Sequence, residues 1–476
     1  MPFASGTWVR ALAVNNGSLI VAGTFSTIGS ATAENIATYD GANFAAIGTG
    51  IGSPAIANEV VNDIEVVGSS IYAVGEFATA GGNAARRVTV WDGSTWSSLG
   101  SGPNNGIPSG TVNAVEVIGT RVYVAGSFST AGTTGSVGNI AFWDGAAWQK
   151  LGPSGTNGTI SALTEFNGEL IVSGIFNLSG GVAVSNVARF DGTTWHAMGS
   201  GSFAGLTVHD GVLFGGRGDP FGVQRWNGSA WIDDVTEGDP DDVRSLYSDG
   251  VALYAGNNEG QVWKRVDTLK WLPVGLAVPA DPGNGMPGAV TSLAIFGGDV
   301  YAGGYIFSEF PSPGFTKDLT RFDFNGAGAP TISAQPVDAH VDVNTTLGLS
   351  VSVDGSSGDV IYQWYKDGAA IDGATMSSFS IPSATADDAG EYYVEITNLC
   401  GTTVSDIATV TIRTPCVGDI NEDLEVGLTD LSLLLGSFGL CNGTPGFNAA
   451  ADLNDTNCVD LTDLSMLLAV FGTECP

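Results

Sequence analysis

Residues 1 to about 327 repeat themselves, and this repetition constrains the fold more than any other property of the chain. The unit VNDIEVVGSSIYAVGEFATAGG...RVTVWDGSTWSSLGSG, from Val61, returns as VNAVEVIGTRVYVAGSFSTAG...IAFWDGAAWQKLG from Val112. It returns again as ISALTEFNGELIVSGIFNLSGG...VARFDGTTWHAMGSG from Ile160, and further copies begin at Val9, Leu206, Val243 and Val290, seven in all. Each holds four short alternating or β-branched runs separated by Gly, Asn or Asp-Gly turns, the pattern of four antiparallel strands. The pairs Asp40-Gly41, Asp92-Gly93, Asp144-Gly145 and Asp191-Gly192 suit the positive φ of a tight hairpin between strands three and four. Glycine supplies 69 of 476 residues while charged residues make up only 14%, against roughly 25% in an average domain, so turn-rich all-β structure is expected. Seven four-stranded units predict a seven-bladed β-propeller over 1–327, whose radial closure leaves few bare sheet edges.

The recurring GG-x-F...A-G-G...W-D-G-x-x-W-x-x-L-G pattern resembles Kelch-like propellers. It is closer still to the propeller of fungal cortical polarity markers and many bacterial surface proteins. That resemblance implies an architecture for two thirds of the chain and no particular activity. The repeated Phe25, Phe77, Phe128, Phe176, Trp91, Trp96, Trp143, Trp148, Trp195 and Trp231 could serve as a sugar-stacking platform. A residue recurring once per unit at a fixed offset is better read as core between neighbouring units. The seventh unit stops at Phe322-Asp323-Phe324-Asn325-Gly326 without a fourth strand, which residues 1 to 8 are expected to supply. Arg217-Gly218-Asp219 matches an adhesion tripeptide but is read as a chance match in a Gly-rich loop. Copper-radical oxidation is excluded, because the repeats hold no Cys and only His196 and His209. A carboxylate pair for glycoside hydrolysis is not visible in sequence, and catalytic residues stay unassigned.

From about Ala329 to 413 the composition changes. VIYQWYKDGAAI with its lone Trp364, and the D-x-G-x-Y run Asp388 to Tyr392, resemble an immunoglobulin-like domain of the intermediate set. The resemblance places Trp364 on strand C and makes Tyr392 a tyrosine corner. It puts Val351 and Val394 where an inter-sheet disulfide would lie. A spacer is the plain expectation for this part, a protein or glycan binder the sharper one.

Residues 416–476 carry the most specific pattern. DINEDLEVGLTDLSLLLGSFG from Asp419 recurs, 33 residues on, as DLNDTNCVDLTDLSMLLAVFG from Asp452. Asp430, Leu431, Leu434, Leu435 and Phe438 map to Asp463, Leu464, Leu467, Leu468 and Phe471. Their i, i+3, i+4, i+7 spacing gives two loops, each leading into an amphipathic helix. Oxygen ligands at loop positions 1, 3, 5 and 12 are what a hard cation needs, and two calcium ions are expected. Loop one offers Asp419, Asn421, Asp423, the Glu425 carbonyl and Asp430; loop two offers Asp452, Asn454, Thr456, the Cys458 carbonyl, Asp460 and Asp463. Helix capping by Asp430 and Asp463 alone would not explain the repeated D-x-N upstream.

One helix per loop and Asp at position 12 make the pair resemble a type I dockerin. That implies folding on calcium and a cohesin-like or other surface partner, recognised through Leu428, Thr429, Leu461 and Thr462. Two positions depart from the pattern. Leu424 stands where Gly usually supplies a left-handed backbone, which weakens site one, and Thr456 removes a charge from site two. Four Cys allow three pairings. Pseudo-twofold symmetry of the two loop-helix units brings each helix end to the opposite loop, so Cys416–Cys475 and Cys441–Cys458 are expected, with Cys400 left over in the F to G turn.

Charge narrows the partners. Sixteen Lys and Arg against 49 Asp and Glu give a net charge of −33, which argues against nucleic acid. No run of 18 apolar residues is present, so no membrane span is expected. All five Cys fall in the last 77 residues, a density typical of disulfide-stapled extracellular or cell-surface modules. Pro2-Phe3-Ala4-Ser5-Gly6 after Met1 has the form of no signal peptide, so a truncated or misassigned start is expected. The resulting expectation is a secreted, non-enzymatic binding or adhesion protein. In it the propeller faces a ligand such as a glycan, and the dockerin-like module acts as a calcium-dependent anchor. The alternative is a polysaccharide-degrading O-glycosyl hydrolase carrying an assembly dockerin.

Overall fold

The computed structural model describes residues 8–53, 56, 59–218, 222–234, 240–267, 270–274, 288–305, 319–322, 329–354, 360–398, 400–413 and 416–475. The protein is mostly β, with two short α-helices among the described residues, and divides into two compact units, 1–326 and 327–476. Among the described residues no helix is long and apolar enough to cross a membrane.

Among its described residues the first unit contains seven larger antiparallel sheets, six of four strands and a seventh of three, Ala289–Phe296, Asp299–Tyr305 and Leu319–Phe322, besides four two-stranded hairpins. In each sheet the strands lie side by side in chain order, so every unit is a meander. The first strands are neighbours in sequence: Trp8–Asn15, Val60–Val67, Thr111–Ile118, Ile160–Phe166, Gly205–His209, Val243–Ser248 and Ala289–Phe296. The first of these also lies against the last, where Thr291 Oγ1 donates to the Val9 carbonyl at 3.4 Å across 282 residues. Trp8 pairs with Thr24 inside the first sheet, so it does not belong to a fourth strand of the seventh; residues 1–7 lie outside the described residues. Asp219 of the adhesion-like tripeptide lies outside them as well.

A β-bulge interrupts six of these seven first strands at the same place, between Val9 and Ala11, Val61 and Asp63, Val112 and Ala114, Ile160 and Ala162, Val243 and Ser245, and Val290 and Ser292. The extra residue in each is polar: Arg10, Asn62, Asn113, Ser161, Arg244 or Thr291. Glycine on the second strand makes the bulge possible. A Cβ on Gly75 would meet the Val60 carbonyl oxygen at 2.0 Å, and one on Gly126 the Thr111 oxygen at 2.1 Å, so no larger residue fits.

Apolar cores form between neighbouring sheets rather than within one, which fits units that cannot bury their faces alone. The repeated Trp belongs to these cores. Trp96, Trp148, Trp195 and Trp271 are buried, and their indole N–H groups donate to the carbonyls of Ile47, Leu99, Leu151 and Asp234 of the preceding unit. A buried ring with its one donor engaged offers no sugar-stacking face. The Asp-Gly turns are wider than a two-residue hairpin. Gly41, Gly93, Gly145 and Gly192 have φ of 95 to 101°, but the Asp before each is not left-handed. Instead its carboxylate accepts the N–H groups two and three residues on, as Asp92 does from Ser94 and Thr95.

In the second unit, Ala339–Asp342 runs parallel to Ala408–Arg413, which pairs with Gly390–Asn398, itself paired with Ile361–Lys366; Leu347–Ser350 pairs with Ser378–Ile381. Trp364, Tyr392, Val351 and Val394 are buried together, so apolar packing occupies the place of a disulfide. The Tyr392 hydroxyl donates to the Asp388 carbonyl at 2.8 Å and fixes the chain before that strand. The two helices follow: α1, Leu428–Ser437, and α2, Leu461–Ala469. Their core is Ile420, Val426, Leu434, Ala451, Val459 and Leu467, one turn of each helix plus the loop exits.

Candidate functional site

The loops before α1 and α2 have the same backbone. Glu422 and Leu424 in the first, and Asp455 and Asn457 33 residues later, all take left-handed φ of 55 to 71°. This conformation costs Asn little and Leu about 1 kcal/mol. It turns successive N–H groups inward onto the first acid of each loop. Asp419 accepts from Asp423 N and Leu424 N at 3.1 and 2.9 Å, and Asp452 accepts from Thr456 N at 3.1 Å.

The acids at position 12 close the loops from the helix side. Asp430 is fully buried and accepts from Ile420, Asn421 and Gly427 N–H at 2.7, 3.0 and 2.8 Å. Burial pushes its carboxyl up, and these backbone donors overcome that and hold it below the usual carboxylate range. Asp463, also buried, accepts from Asn454 and Asp460 N–H. In loop one, carboxylate oxygens of Asp419, Asp423 and Asp430 lie within 4.8 Å of one another. With Asn421 beside them, donating to Asp423 at 2.7 Å, this oxygen-only donor set fits a hard divalent cation. Thr456 takes the place of the third acid in loop two, and its hydroxyl donates to Asn454 Oδ1 at 2.8 Å. Asp460 caps α2, accepting from Thr462 N at 2.6 Å, and the Glu425 and Cys458 carbonyls belong to the loop exits.

Those exits are strapped across the pair. Val426 N donates to Thr473 O, Gly472 N to Val426 O and Cys475 N to Leu424 O. Val459 N to Leu440 O, Gly439 N to Val459 O and Asn442 N to Asn457 O repeat the pattern with the same offset. Each loop is thus tied to the segment after the other helix. Two disulfides, Cys416–Cys475 and Cys441–Cys458, the pairs expected from the symmetry of the units, reinforce these straps; Cys400 is exposed and belongs to neither.

Only half of each helical stripe is buried. Leu434 and Leu467 are fully covered, but Leu435, Leu468, Phe438 and Phe471 are exposed, as are Thr429 and Thr462. Leu428 and Leu461 are 77% and 73% exposed, so two symmetry-related apolar faces remain on this module.

The first unit contains a second candidate site that the sequence reading missed. A cavity of about 450 Å³ is lined by the first strands of all seven sheets, the bulge residues among them. Those residues bond sideways: Arg10 Nη1 donates to Asn62 Oδ1, Asn62 Nδ2 to Val112 O, and Asn113 Nδ2 to Ile160 O. Below them Asp63, Glu65 and Glu116 converge. Burial raises Asp63 to about 6 against the donors Val115 N and Ile64 N. Burial and then Asp63 raise Glu65 to about 7. Burial, and then Glu65 and Asp63, raise Glu116 to about 8. The one signal available was the acid at the equivalent position of two neighbouring repeats, Glu65 and Glu116, where the next repeat has Thr164.

Residues 329–398 match the family model of the immunoglobulin domain. Over 58 residues the chain is 40% identical to a "Decoration protein" of Escherichia phage T5, covering 12% of this chain and 35% of that protein, so the chain spans about a third of this relative's length. Among solved structures, the titin M4 domain is similar at 22% identity, 18% coverage of this chain and 97% of that one, with a TM-score of 0.17. A titin M10 complex with obscurin-like 1 is similar at 24% identity, 19% and 99% coverage, and the same TM-score.

Proposed function

We propose a secreted modular binding protein in which residues 1–327 form a seven-bladed β-propeller presenting a ligand face. The immunoglobulin-like domain serves as spacer or second binder, and residues 416–476 are a dockerin-like module that anchors the chain to a cohesin-like or other surface partner once calcium is bound. The observation that carries this reading is the duplicated loop-helix unit, with three carboxylates within 4.8 Å of one another in loop one. Two exposed apolar faces, each starting at Leu428-Thr429 or Leu461-Thr462, support a docking role. The similarity to a phage decoration protein supports display outside the cell.

A second reading, glycan hydrolysis in the first unit, has the convergent carboxylates in its favour, because an acid held near 8 is protonated at neutral pH, as a general acid must be. Full-length protein on a glycan array, with parallel reducing-sugar assays, separates the two. Binding without sugar release supports the first reading, and release abolished by Glu116→Gln replaces it with the second. Scanning calorimetry in calcium and in chelator tests the anchor. An unchanged C-terminal transition would remove the calcium part of the proposal.

A further inference from the structure

The two disulfides occupy inequivalent places in a pseudo-symmetric module. The symmetry mates of Cys441 and Cys458 are Glu474 and Glu425, which face each other in the equivalent backbone bridge. Where loop two has a covalent link at its exit, loop one therefore has two exposed carboxylates directly opposite, an unfavourable cross-strand pair. Loop one also carries the strained Leu424, whose φ is 71°.

The Cys416–Cys475 bridge opposes both effects, and it does so at the first calcium ligand. Asp419 N donates to the Cys416 carbonyl at 3.1 Å, and Cys475 Sγ lies 3.6 Å from Asp419 Oδ2. Cys475 N also donates to the Leu424 carbonyl at 2.8 Å, so the same residue holds the strained turn. The link closes 59 residues of chain and is the one covalent tie between the tail after α2 and loop one. Without it the described tail keeps three backbone hydrogen bonds to loop one and the packing of Val470 on the module core against the Glu425–Glu474 repulsion.

We propose that Cys416–Cys475 is a redox latch on calcium binding at loop one: the oxidised bridge presets Asp419 and the Leu424 turn, and reduction releases them. The inference rests on the calcium reading of the loops. A phosphine reductant attacks one sulfur and breaks the S–S bond. The departing thiolate takes a proton, and water then releases the second thiol and leaves phosphine oxide, so the disulfide gains the two electrons that phosphorus loses. A dithiol achieves the same two-electron change by exchange and leaves as its own disulfide. Linkage makes the effect reciprocal, so calcium must protect the bridge by the factor by which the bridge strengthens calcium binding.

The test uses full-length protein titrated with calcium by calorimetry, oxidised and after phosphine treatment, with the state of each bridge read by alkylation and mass spectrometry. The oxidised chain should bind two ions, and reduction of Cys416–Cys475 should weaken one of them about tenfold. Saturating calcium should slow phosphine cleavage of that bridge by a similar factor. The double variant Cys416→Ser with Cys475→Ser should reproduce the weak site, whereas Cys441→Ser with Cys458→Ser should leave loop one tight. If the first variant does not fold, the protection measured on the unaltered chain decides. Equal calcium affinity before and after reduction, or cleavage indifferent to calcium, overturns the latch and leaves the calcium reading standing. An oxidised chain that binds no calcium removes that reading and the latch with it.

Discussion

Replacing Glu116 with Gln should stabilise the first unit at pH 8 and leave it nearly unchanged at pH 5. Burial, followed by Glu65 and Asp63, raises this carboxyl from an ordinary 4.5 to about 8. The folded state therefore holds a proton that the unfolded chain gives up, and stability falls as pH rises between those two values. It is full below about 4.5 and fully lost above about 8. Each unit of that span is worth about 1.4 kcal/mol, but the half-buried side chain is screened by water, which reduces the whole to about 2 kcal/mol. In a unit of this size that is a rise of about 4 °C in Tm for the variant at pH 8. Scanning calorimetry of wild type and Glu116→Gln at pH 5 and 8 reads the term together with its coupling to Glu65 and Asp63, while acids far from the cluster cancel in the difference. A variant no more stable at pH 8 than wild type, or equally stabilised at both pH values, would refute the burial of a charged cluster at that place.

Three further outcomes follow from the local geometry. Leu424→Gly should raise the C-terminal transition by about 1 kcal/mol, since Gly enters the left-handed region without strain, and Asn457→Gly, at the equivalent place, should change little; chemical denaturation of the pair checks this. Asp430→Asn should cost about 2 kcal/mol even in chelator, because an amide nitrogen would face one of three backbone donors that the carboxylate now accepts. A loss seen only with calcium present would assign Asp430 to the ion alone. Trp148→Phe should cost about 1 to 3 kcal/mol by leaving the Leu99 carbonyl without its donor and opening a gap between neighbouring sheets, measured as a lowered first-unit Tm.

Much of the architecture follows from local pattern. The alternating runs repeated from Val9 to Val290 dictate short antiparallel strands, because a period of two can bury only one face of a sheet. The once-per-unit Trp had to lie between units, since no single unit offers it a covered surface. Trp364 and Tyr392 likewise specify their sandwich, and the 33-residue duplication specifies two equivalent loops. What the sequence did not reveal depends on distances between units. Arg10, Asn62 and Asn113 read as ordinary strand residues until a bulge, permitted by the facing glycines, moves them off the strand alternation into a shared cavity. The convergence of Asp63, Glu65 and Glu116 was not legible, because proximity across fifty residues is set by how neighbouring sheets pack and not by any run of residues. The helical stripe of α1 and α2 marked Leu435 and Phe438 as core, yet a module with two short helices can cover only one turn of each. Its small size, not the pattern, left the other half exposed.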